Sequence, residues 1–400
     1  MLSDTSRPVI EATLPVVGEN IGEIAKRFYS HMFAEKPELL DGLFNRGNQA
    51  EGRQQQALAG SVAAFATFLV NKPGVLPDHL LARISHKHVS LGLRPEQYKI
   101  VHDHLMWAIG DVLGDAVTPE VGAAWDEVYW LMANALINQE RAMYTAADLT
   151  PESVWSTWRV TEKIQETTDV VTFVVEPLTA GRMKPALPGQ YVSLKALMPD
   201  GVHQPRQYSL TRADDGERRQ FSVKRVHGRP TPDGEVSNLL HASVNVNDEV
   251  VLSAPFGEVV LTDTDRPVVF ASAGIGITPM AGMISHLVQS AATRPVTLLH
   301  ADKSEQTFAL RDQVRADLAK LPDASLTTWF SQPAGQESAN QFSGFMDLAA
   351  IELPADADYY LCGPLGFMQA IRSALIARGV PAQDIQYEVF GPDLWLAAPQ

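Results

Sequence analysis

The chain has 400 residues, enough for two or three domains, and its 45% hydrophobic and 20% charged content excludes a disordered or fibrous protein. Its 32 Lys and Arg against 47 Asp and Glu give a formal net charge of −15, and no basic run offers a surface for nucleic acid or anionic lipid. The single cysteine, Cys362, cannot form an intramolecular disulfide, and the sequence shows neither a secretory signal nor a membrane-spanning run. We therefore expect a cytoplasmic protein with no membrane span and no nucleic-acid partner.

The first third of the chain shows only helical periodicity. Apolar residues recur at intervals of three and four in 21–32, 58–69, 101–112 and 121–143. No segment with a period of two interrupts them. The pattern predicts an all-α domain over 1–147.

The central part of the chain has the character of an antiparallel β domain. Short β-rich runs are separated by Gly, Pro and Asp turn signals, a spacing typical of a small barrel or sandwich. We predict a β-barrel over 151–263. The runs are 170–176, 189–194, 206–211, 220–226 and 248–254.

From residue 265 onward, strand and helix patterns alternate, which predicts a doubly wound parallel α/β sheet over 265–400. The predicted strands are 267–271, 296–300, 325–330, 359–362 and 385–390, and a predicted helix covers 308–320.

Two Gly-containing turns in this last region connect a predicted strand to a helix. The first runs from Gly274 to Pro279, and the second is Cys362-Gly363-Pro364. Such turns place backbone N–H groups and a helix N-terminus where a pyrophosphate can bind. One turn alone is often only a tight connection, and the third glycine of GxGxxG is absent. Two turns at one sheet edge favour a dinucleotide site.

The predicted barrel carries a group of residues suited to a flavin. Arg206 supplies a cation for phosphate, Tyr208 an aromatic ring for stacking, and Ser209 a hydroxyl for a ring nitrogen. The alternative is that Tyr208 and the aromatic residue near the C-terminus, Phe390, belong to the core.

These motifs and their order resemble the ferredoxin–NADP reductase type of flavoprotein. The resemblance implies that the RxYS and GxVSN motifs hold FAD, that the AGxGxTP and CGP motifs hold the nicotinamide nucleotide, and that an aromatic residue near the C-terminus covers the flavin. The residues assigned to FAD are Tyr191, Arg206, Gln207, Tyr208, Ser209, Gly234, Val236, Ser237 and Asn238. Those assigned to the nucleotide are Gly274, Ile275, Gly276, Ile277, Thr278, Pro279, Cys362, Gly363 and Pro364. The C-terminal cofactor residues are Glu388, Phe390, Gly391, Pro392 and Asp393.

The preferred nucleotide is predicted from Asp302, which ends the second strand of the doubly wound sheet. A carboxylate there can accept a hydrogen bond from a ribose hydroxyl and would repel a 2′-phosphate. This favours NADH over NADPH.

One histidine of the helical domain is a candidate iron ligand, because a flavin can pass single electrons to a haem. His88 shares an apolar helix face with Leu81, Ile84 and Leu91, whereas His86 points about 200° away. The alternative is a histidine that is merely hydrogen-bonded in the core. Gln54 continues a second apolar stripe into the same interior, although a surface amide is the competing interpretation.

The whole chain resembles the bacterial flavohaemoglobins, in which a globin is fused to an FAD and NAD(P) reductase. The motifs that carry the resemblance are Phe28-Tyr29, Met32-Phe33, Pro37-Glu38-Leu39, Leu43-Phe44-Asn45, Asn48-Gln49, Lys87-His88, Pro95-Glu96-Gln97-Tyr98 and Ile137-Asn138-Gln139-Glu140. The resemblance implies that His88 ligates the iron of haem b and that Phe44 packs on the haem. It also implies that Tyr29 and Gln54 form the distal pair, that Tyr98 and Glu140 are linked to the proximal histidine, and that Lys87 tunes the redox potential.

The activity implied by the resemblance is that of a nitric oxide dioxygenase using NAD(P)H, O₂ and NO, and we expect a monomer. Three alternatives remain open. The chain can be an oxygen-binding or sensing globin with a reductase, a reductase of ferric chelates, quinones or hydroperoxides, or a reductase whose helical domain holds no haem.

Overall fold

The structure of the protein is a computed structural model, which describes residues 1–50, 52–179, 183–228, 232–333, 340–354 and 356–391. Among the residues within these ranges, none of the helices combines the length and the hydropathy that a bilayer crossing requires.

The chain forms two compact units. The first contains Met1–Trp155 and Lys195–Arg206, and the second contains Ser156–Leu194 and Gln207–Phe390. The finer division into three domains stays a prediction.

The first unit is built from six α-helices, as the periodicity predicts. Helix α1 packs against α3, α5 and α6, and its fully buried side chains include Ile24, Phe28 and Met32. Each such side chain contributes about 1.5–3 kcal/mol on burial. The helices are α1 (Ser6–Glu35), α2 (Arg46–Ala50), α3 (Arg53–Asn71), α4 (Asp78–Leu91), α5 (Pro95–Leu113) and α6 (Pro119–Ala147).

Most residues of a six-stranded sheet with antiparallel pairing lie in the second unit, and this sheet confirms the predicted β domain. Its order is β4-β3-β6-β1-β2-β5, and a bridge between Leu210 and Phe221 joins the two edges. Its elements are β1 (Trp155–Thr167), β2 (Val170–Pro177), β3 (Tyr191–Leu197), β4 (His203–Ser209), β5 (Arg219–Lys224), α7 (Glu235–Ser243) and β6 (Glu249–Ser253).

Strand β1 and helix α7 were missed by the sequence prediction. Charged residues such as Arg159, Glu162 and Lys163 interrupt the apolar pattern of β1, which nevertheless pairs with β2 over nearly its whole length. Helix α7 is only nine residues long and follows Gly234, so its pattern is too short to show a helical period.

The same unit contains a six-stranded parallel sheet of order β10-β9-β8-β7-β11-β12, as predicted for a doubly wound fold. Helix α9 begins at Arg311 and is shorter than predicted, because Leu310 adopts a left-handed conformation with φ of 59°. The elements are β7 (Val268–Ala273), α8 (Ile277–Gln289), β8 (Val296–Asp302), α9 (Arg311–Leu318), β9 (Ala324–Phe330), β10 (Gln341–Ser343), β11 (Asp358–Cys362), α10 (Leu365–Ala377) and β12 (Ile385–Glu388).

Candidate functional site

Three side chains from three helices meet in the first unit. Nδ1 of His88 on α4 lies 2.8 Å from Oε1 of Glu140 on α6 and 3.0 Å from the hydroxyl oxygen of Tyr98 on α5. Tyr98 also donates a hydrogen bond of 2.5 Å to the same carboxylate oxygen. Glu140 is 3% exposed, so this carboxylate lies in the interior and is held by both partners.

Local sequence explains how α4 and α5 present these side chains. His88 lies in the last turn of α4, which ends at Leu91 and is followed by Gly92 in a left-handed conformation with φ of 76°. Pro95 occupies the first turn of α5, and Oε1 of Gln97 accepts a hydrogen bond from the backbone N–H of Arg94 at 2.8 Å. The Pro-Glu-Gln-Tyr motif therefore starts the helix and sets the position of Tyr98.

Helix α6 carries Glu140 and two further tyrosines that sequence reasoning missed. The Tyr129 hydroxyl donates to the carbonyl oxygen of Tyr98 at 2.5 Å, and the Tyr144 hydroxyl donates to that of Leu93 at 3.1 Å. Residues 129, 140 and 144 fall on one face of α6, eleven and four residues apart. That periodicity is the signal from which both tyrosines were identifiable.

The surroundings of His88 favour a role for this histidine as a metal ligand. Burial is the main cause that raises the pKa of the Tyr98 phenol, and the negative charge of Glu140 adds to the rise. The phenol therefore remains a hydrogen-bond donor at neutral pH. Because Nδ1 of His88 faces the buried carboxylate, Nε2 is directed elsewhere, and no hydrogen bond to it occurs among the described residues. A carboxylate on one imidazole nitrogen with a free lone pair on the other is the usual arrangement of a metal-bound histidine. The residues present therefore fit an iron ligand.

The predicted distal residues also lie together in this unit. Burial raises the pKa of Tyr29, while a hydrogen bond with Gln54 opposes that rise. The ring of Tyr29 lies edge-on to Phe44, with centroids 6.1 Å apart, and Phe33 stacks on Tyr29 at 5.7 Å. A buried phenol and an amide beside aromatic rings form a polar pair in an apolar setting, which suits a small ligand with developing negative charge.

Lys87 is half-buried next to His88 in sequence. Burial, reinforced by the positive charge of Arg206, lowers its pKa to about 8. The guanidinium of Arg206 donates to the carbonyl oxygen of Pro205 at 2.7 Å. Both cations belong to the first unit, and their roles toward cofactors stay predictions.

In the second unit, four of the predicted flavin residues, Tyr191, Gln207, Tyr208 and Ser209, lie on the antiparallel sheet. Nε2 of Gln207 donates to Oγ of Ser193 at 3.0 Å, and Ser209 is 5% exposed. Tyr208 stacks on Phe221 with centroids 5.5 Å apart. Tyr191 pairs with Phe256 through backbone hydrogen bonds of 2.8 and 3.0 Å.

The Gly234–Asn238 segment forms a tight turn into α7. A Cβ atom on Gly234 would lie 2.7 Å from Oγ of Ser237 and from Cβ of Val226, so only glycine fits there. Oγ of Ser237 accepts the backbone N–H of Val226 at 3.1 Å, and Nδ2 of Asn238 donates to the Gly234 carbonyl oxygen at 3.0 Å. Gly234 stands at the N-cap position of α7 and provides no side-chain cap, so the start of this helix suits an anionic ligand.

The two predicted nucleotide turns lie side by side at the carboxyl ends of adjacent strands, since Ser272 of β7 pairs with Cys362 of β11. A Cβ atom on Gly276 would collide with the carbonyl oxygen of Cys362. Residues 274–276 form one helical turn before α8, and the N-cap residues Gly276 of α8 and Pro364 of α10 make no side-chain capping hydrogen bond. Two uncapped helix starts at the strand-order reversal of the sheet fit a dinucleotide, and the third glycine is unnecessary for this approach.

Three of the remaining predicted residues lie at or just after the end of a strand. Asp302 ends β8, but its carboxylate accepts hydrogen bonds of 2.6 Å from both Thr307 Oγ1 and the Lys303 N–H. Its contact with a ribose stays a prediction. Glu388 ends β12 and is buried, whereas Phe390 is 47% exposed. Pro392 and Asp393 lie outside the described residues.

Two family profiles match separate parts of the chain. Residues 26–136 match the profile described as Globin, and residues 270–373 match the one described as Oxidoreductase NAD-binding domain. Curated proteins called flavohemoprotein match almost the whole length. One from Chromobacterium violaceum is 42% identical and covers 98% of both chains, and one from Rhizobium meliloti is 37% identical and covers 99% of this chain and 100% of its own.

Two solved structures are also similar to this chain. A crystal structure of flavohemoglobin from Malassezia yamatoensis with bound FAD and haem has a TM-score of 0.89 and 37% identity, covering 98% of this chain and 100% of that chain. The FAD/NAD-binding domain of a nitric oxide dioxygenase from Vibrio cholerae has a TM-score of 0.55 and 36% identity, covering 59% of this chain and 99% of that chain.

Proposed function

Because this chain belongs to the flavohaemoprotein family, we propose that it is a nitric oxide dioxygenase with haem, FAD and a nicotinamide nucleotide as cofactors. Two NO, two O₂ and one NAD(P)H give two nitrate, one NAD(P)⁺ and one proton, a balanced oxidation. The observation that carries the proposal is the contact of His88 with the buried Glu140 carboxylate at 2.8 Å. A globin that only stores oxygen does not need a charged partner at its proximal histidine.

The helical unit would hold the haem. When bound, haem supplies an iron centre that takes up O₂ and accepts single electrons. Nε2 of His88 would be the protein ligand, and the Phe44 ring would pack against the macrocycle. Glu140 and Tyr98 fix the orientation of the imidazole and increase its basicity, which favours activation of oxygen over simple transport.

Tyr29 and Gln54 would interact with the oxygen reactant. A phenol that stays protonated and an amide can both donate hydrogen bonds to an oxygen atom that gains negative charge. Because burial raises the pKa of Tyr29, the phenol does not lose its proton at neutral pH. This pair would therefore orient the oxygen reactant and stabilise negative charge on it.

The second unit would supply electrons. When bound, FAD would supply a group that takes up electrons in pairs and releases them singly. Ser209 would hydrogen-bond the flavin ring, Tyr208 would stack on it, and the open start of α7 would receive phosphate oxygens. The paired turns at Gly276 and Cys362 would position the nucleotide.

The proposal is tested by the stoichiometry of the purified, cofactor-loaded protein. With NADH in air-saturated buffer, NO should disappear with one NADH oxidised and two nitrate formed for each two NO. Loss of NO without nitrate, or NADH oxidation that NO does not accelerate, would favour a reductase of other acceptors. Reversible O₂ binding with no NO loss above buffer would favour an oxygen-binding globin.

A further inference from the structure

A second cluster of ligand-type side chains lies between α1 and α5 and takes no part in the proposed reaction. His31 and Glu35 stand one turn apart on α1, and His104 lies on α5. Nδ1 of His31 is 2.8 Å from Nδ1 of His104, and Nε2 of His31 is 3.1 Å from Oε1 of Glu35. One ligand atom from each side chain lies within 4.8 Å of the other two.

The cluster leads from the interior to solvent. His104 is 6% exposed, whereas the side chains of His31 and Glu35 are 24% and 59% exposed. Trp107 stacks on the His31 ring with centroids 3.7 Å apart and an angle of 8° between the planes, which fixes the ring orientation. A ligand could therefore enter on the Glu35 side and be held by an anchored imidazole pair.

The fixed charges around the cluster suit a cation. The carboxylates of Glu35 and Asp103 favour a cation near His104, and the ammonium of Lys36 opposes one.

The donor set has a clear chemical preference. Two imidazoles and one carboxylate form a common three-ligand set for Zn²⁺, which then takes water as a fourth ligand. Zn–N bonds of about 2.1 Å at a tetrahedral angle place the two nitrogens about 3.4 Å apart. The Nδ1 atoms, now 2.8 Å apart, would move slightly apart to reach that separation, and the exposed Glu35 side chain, which now contacts Nε2 of His31, would change rotamer to reach the same ion.

We propose that His31, Glu35 and His104 form a binding site for a divalent transition-metal ion of the Zn²⁺ type. The ion would link α1, which carries Tyr29, to α5, which carries Tyr98. It would replace the hydrogen bond between the two imidazoles. This site is distinct from the proposed iron ligand His88 on α4.

The test is a Zn²⁺ titration of the full-length, cofactor-loaded protein without a histidine tag, in competition with a fluorescent zinc chelator. Wild type should bind one ion whose affinity falls at least about tenfold in His31→Ala and in Glu35→Gln, as loss of even an outer-shell partner costs that much. Because the Glu35 side chain is exposed, Glu35→Gln should fold even if a histidine variant of the cluster does not. His102→Ala is the matched control, because His102 lies on the same helix and contacts the carboxylates of Asp103 and Asp126.

Zn²⁺ should also raise the melting temperature of wild type and of His102→Ala, but not that of His31→Ala. Mg²⁺, which prefers oxygen ligands, should leave it unchanged. Equal Zn²⁺ affinity in wild type and both cluster variants, or an equal loss in the control, would overturn the proposal. Neither readout measures turnover, so the result stands apart from the proposed dioxygenase activity.

Discussion

At the scale of single residues, the buried carboxylate of Glu140 is the feature that most shapes the site. A charged side chain in the interior is costly unless partners satisfy it, and here Tyr98 and His88 both contact the same oxygen atom. The helical stripe alone suggests a solvated glutamate at position 140, because periodicity reports a face but not a partner. The family resemblance was needed to single it out.

The variant Glu140→Gln should raise the reduction potential of the haem iron. A neutral amide makes the His88 imidazole less basic, so the ferric state loses stabilisation. We expect a rise of about 60 mV, which corresponds to a tenfold change in a one-electron equilibrium. Redox titration of the Soret band measures it. Glu127→Gln is the control on the same helix, since Glu127 is bonded to Ser3. An unchanged potential in Glu140→Gln would show that Glu140 does not set the reduction potential of the iron.

At the scale of elements, the close packing of the two predicted nucleotide turns, at Gly276 and at Cys362, could be predicted only in part. The Gly and Pro patterns located both turns after their strands, and the structure adds the close approach of Gly276 to the Cys362 carbonyl. Long apolar strands and helices were predictable because their periods are clear. Strand β1 and helix α7 were not, since tertiary pairing and a short turn determine them.

The variant Gly276→Ala should separate the two turns. A methyl group has no room against the Cys362 carbonyl, so the chain must shift at the nucleotide site. We expect anaerobic flavin reduction by NADH to slow by at least about tenfold, as small displacements in a positioned site cost that much or more. Gly110→Ala on α5, with nothing within 4 Å of the added atom, is the control and should keep the wild-type reduction rate. Equal reduction rates in both variants would contradict this account of the turn.

At the scale of the whole molecule, buried histidines govern stability in mild acid. Burial lowers the pKa of His104, His241, His286 and His300 below the ordinary 6.5. These rings lie in both units, and Nδ1 of His300 bonds Oγ of Ser272 at 2.9 Å. Because the unfolded chain binds more protons than the folded chain near and below pH 6.5, the free energy of unfolding falls as pH falls through this range.

Urea denaturation between pH 8 and pH 5 should therefore show stability that is nearly constant above about pH 7 and declines below about pH 6.5. The decline should be shallower in His300→Gln, which removes one buried titrating ring. His203→Gln, at a side chain that is 39% exposed, should keep the wild-type slope. A flat profile for wild type, or identical slopes in all three proteins, would contradict the assignment.

The central claim is that the helical unit turns over NO with O₂, and the rate of NO consumption in Tyr29→Phe tests it most directly. The change keeps the ring packing and removes one donor to the charged oxygen, which costs about 10²–10³ in related oxyanion sites. We predict a loss of at least about tenfold in Tyr29→Phe and complete loss in His88→Ala. Tyr359→Phe, which removes only a bond to the Pro354 carbonyl, should keep the wild-type rate. Wild-type NO consumption in Tyr29→Phe, with nitrate still formed, would contradict the account.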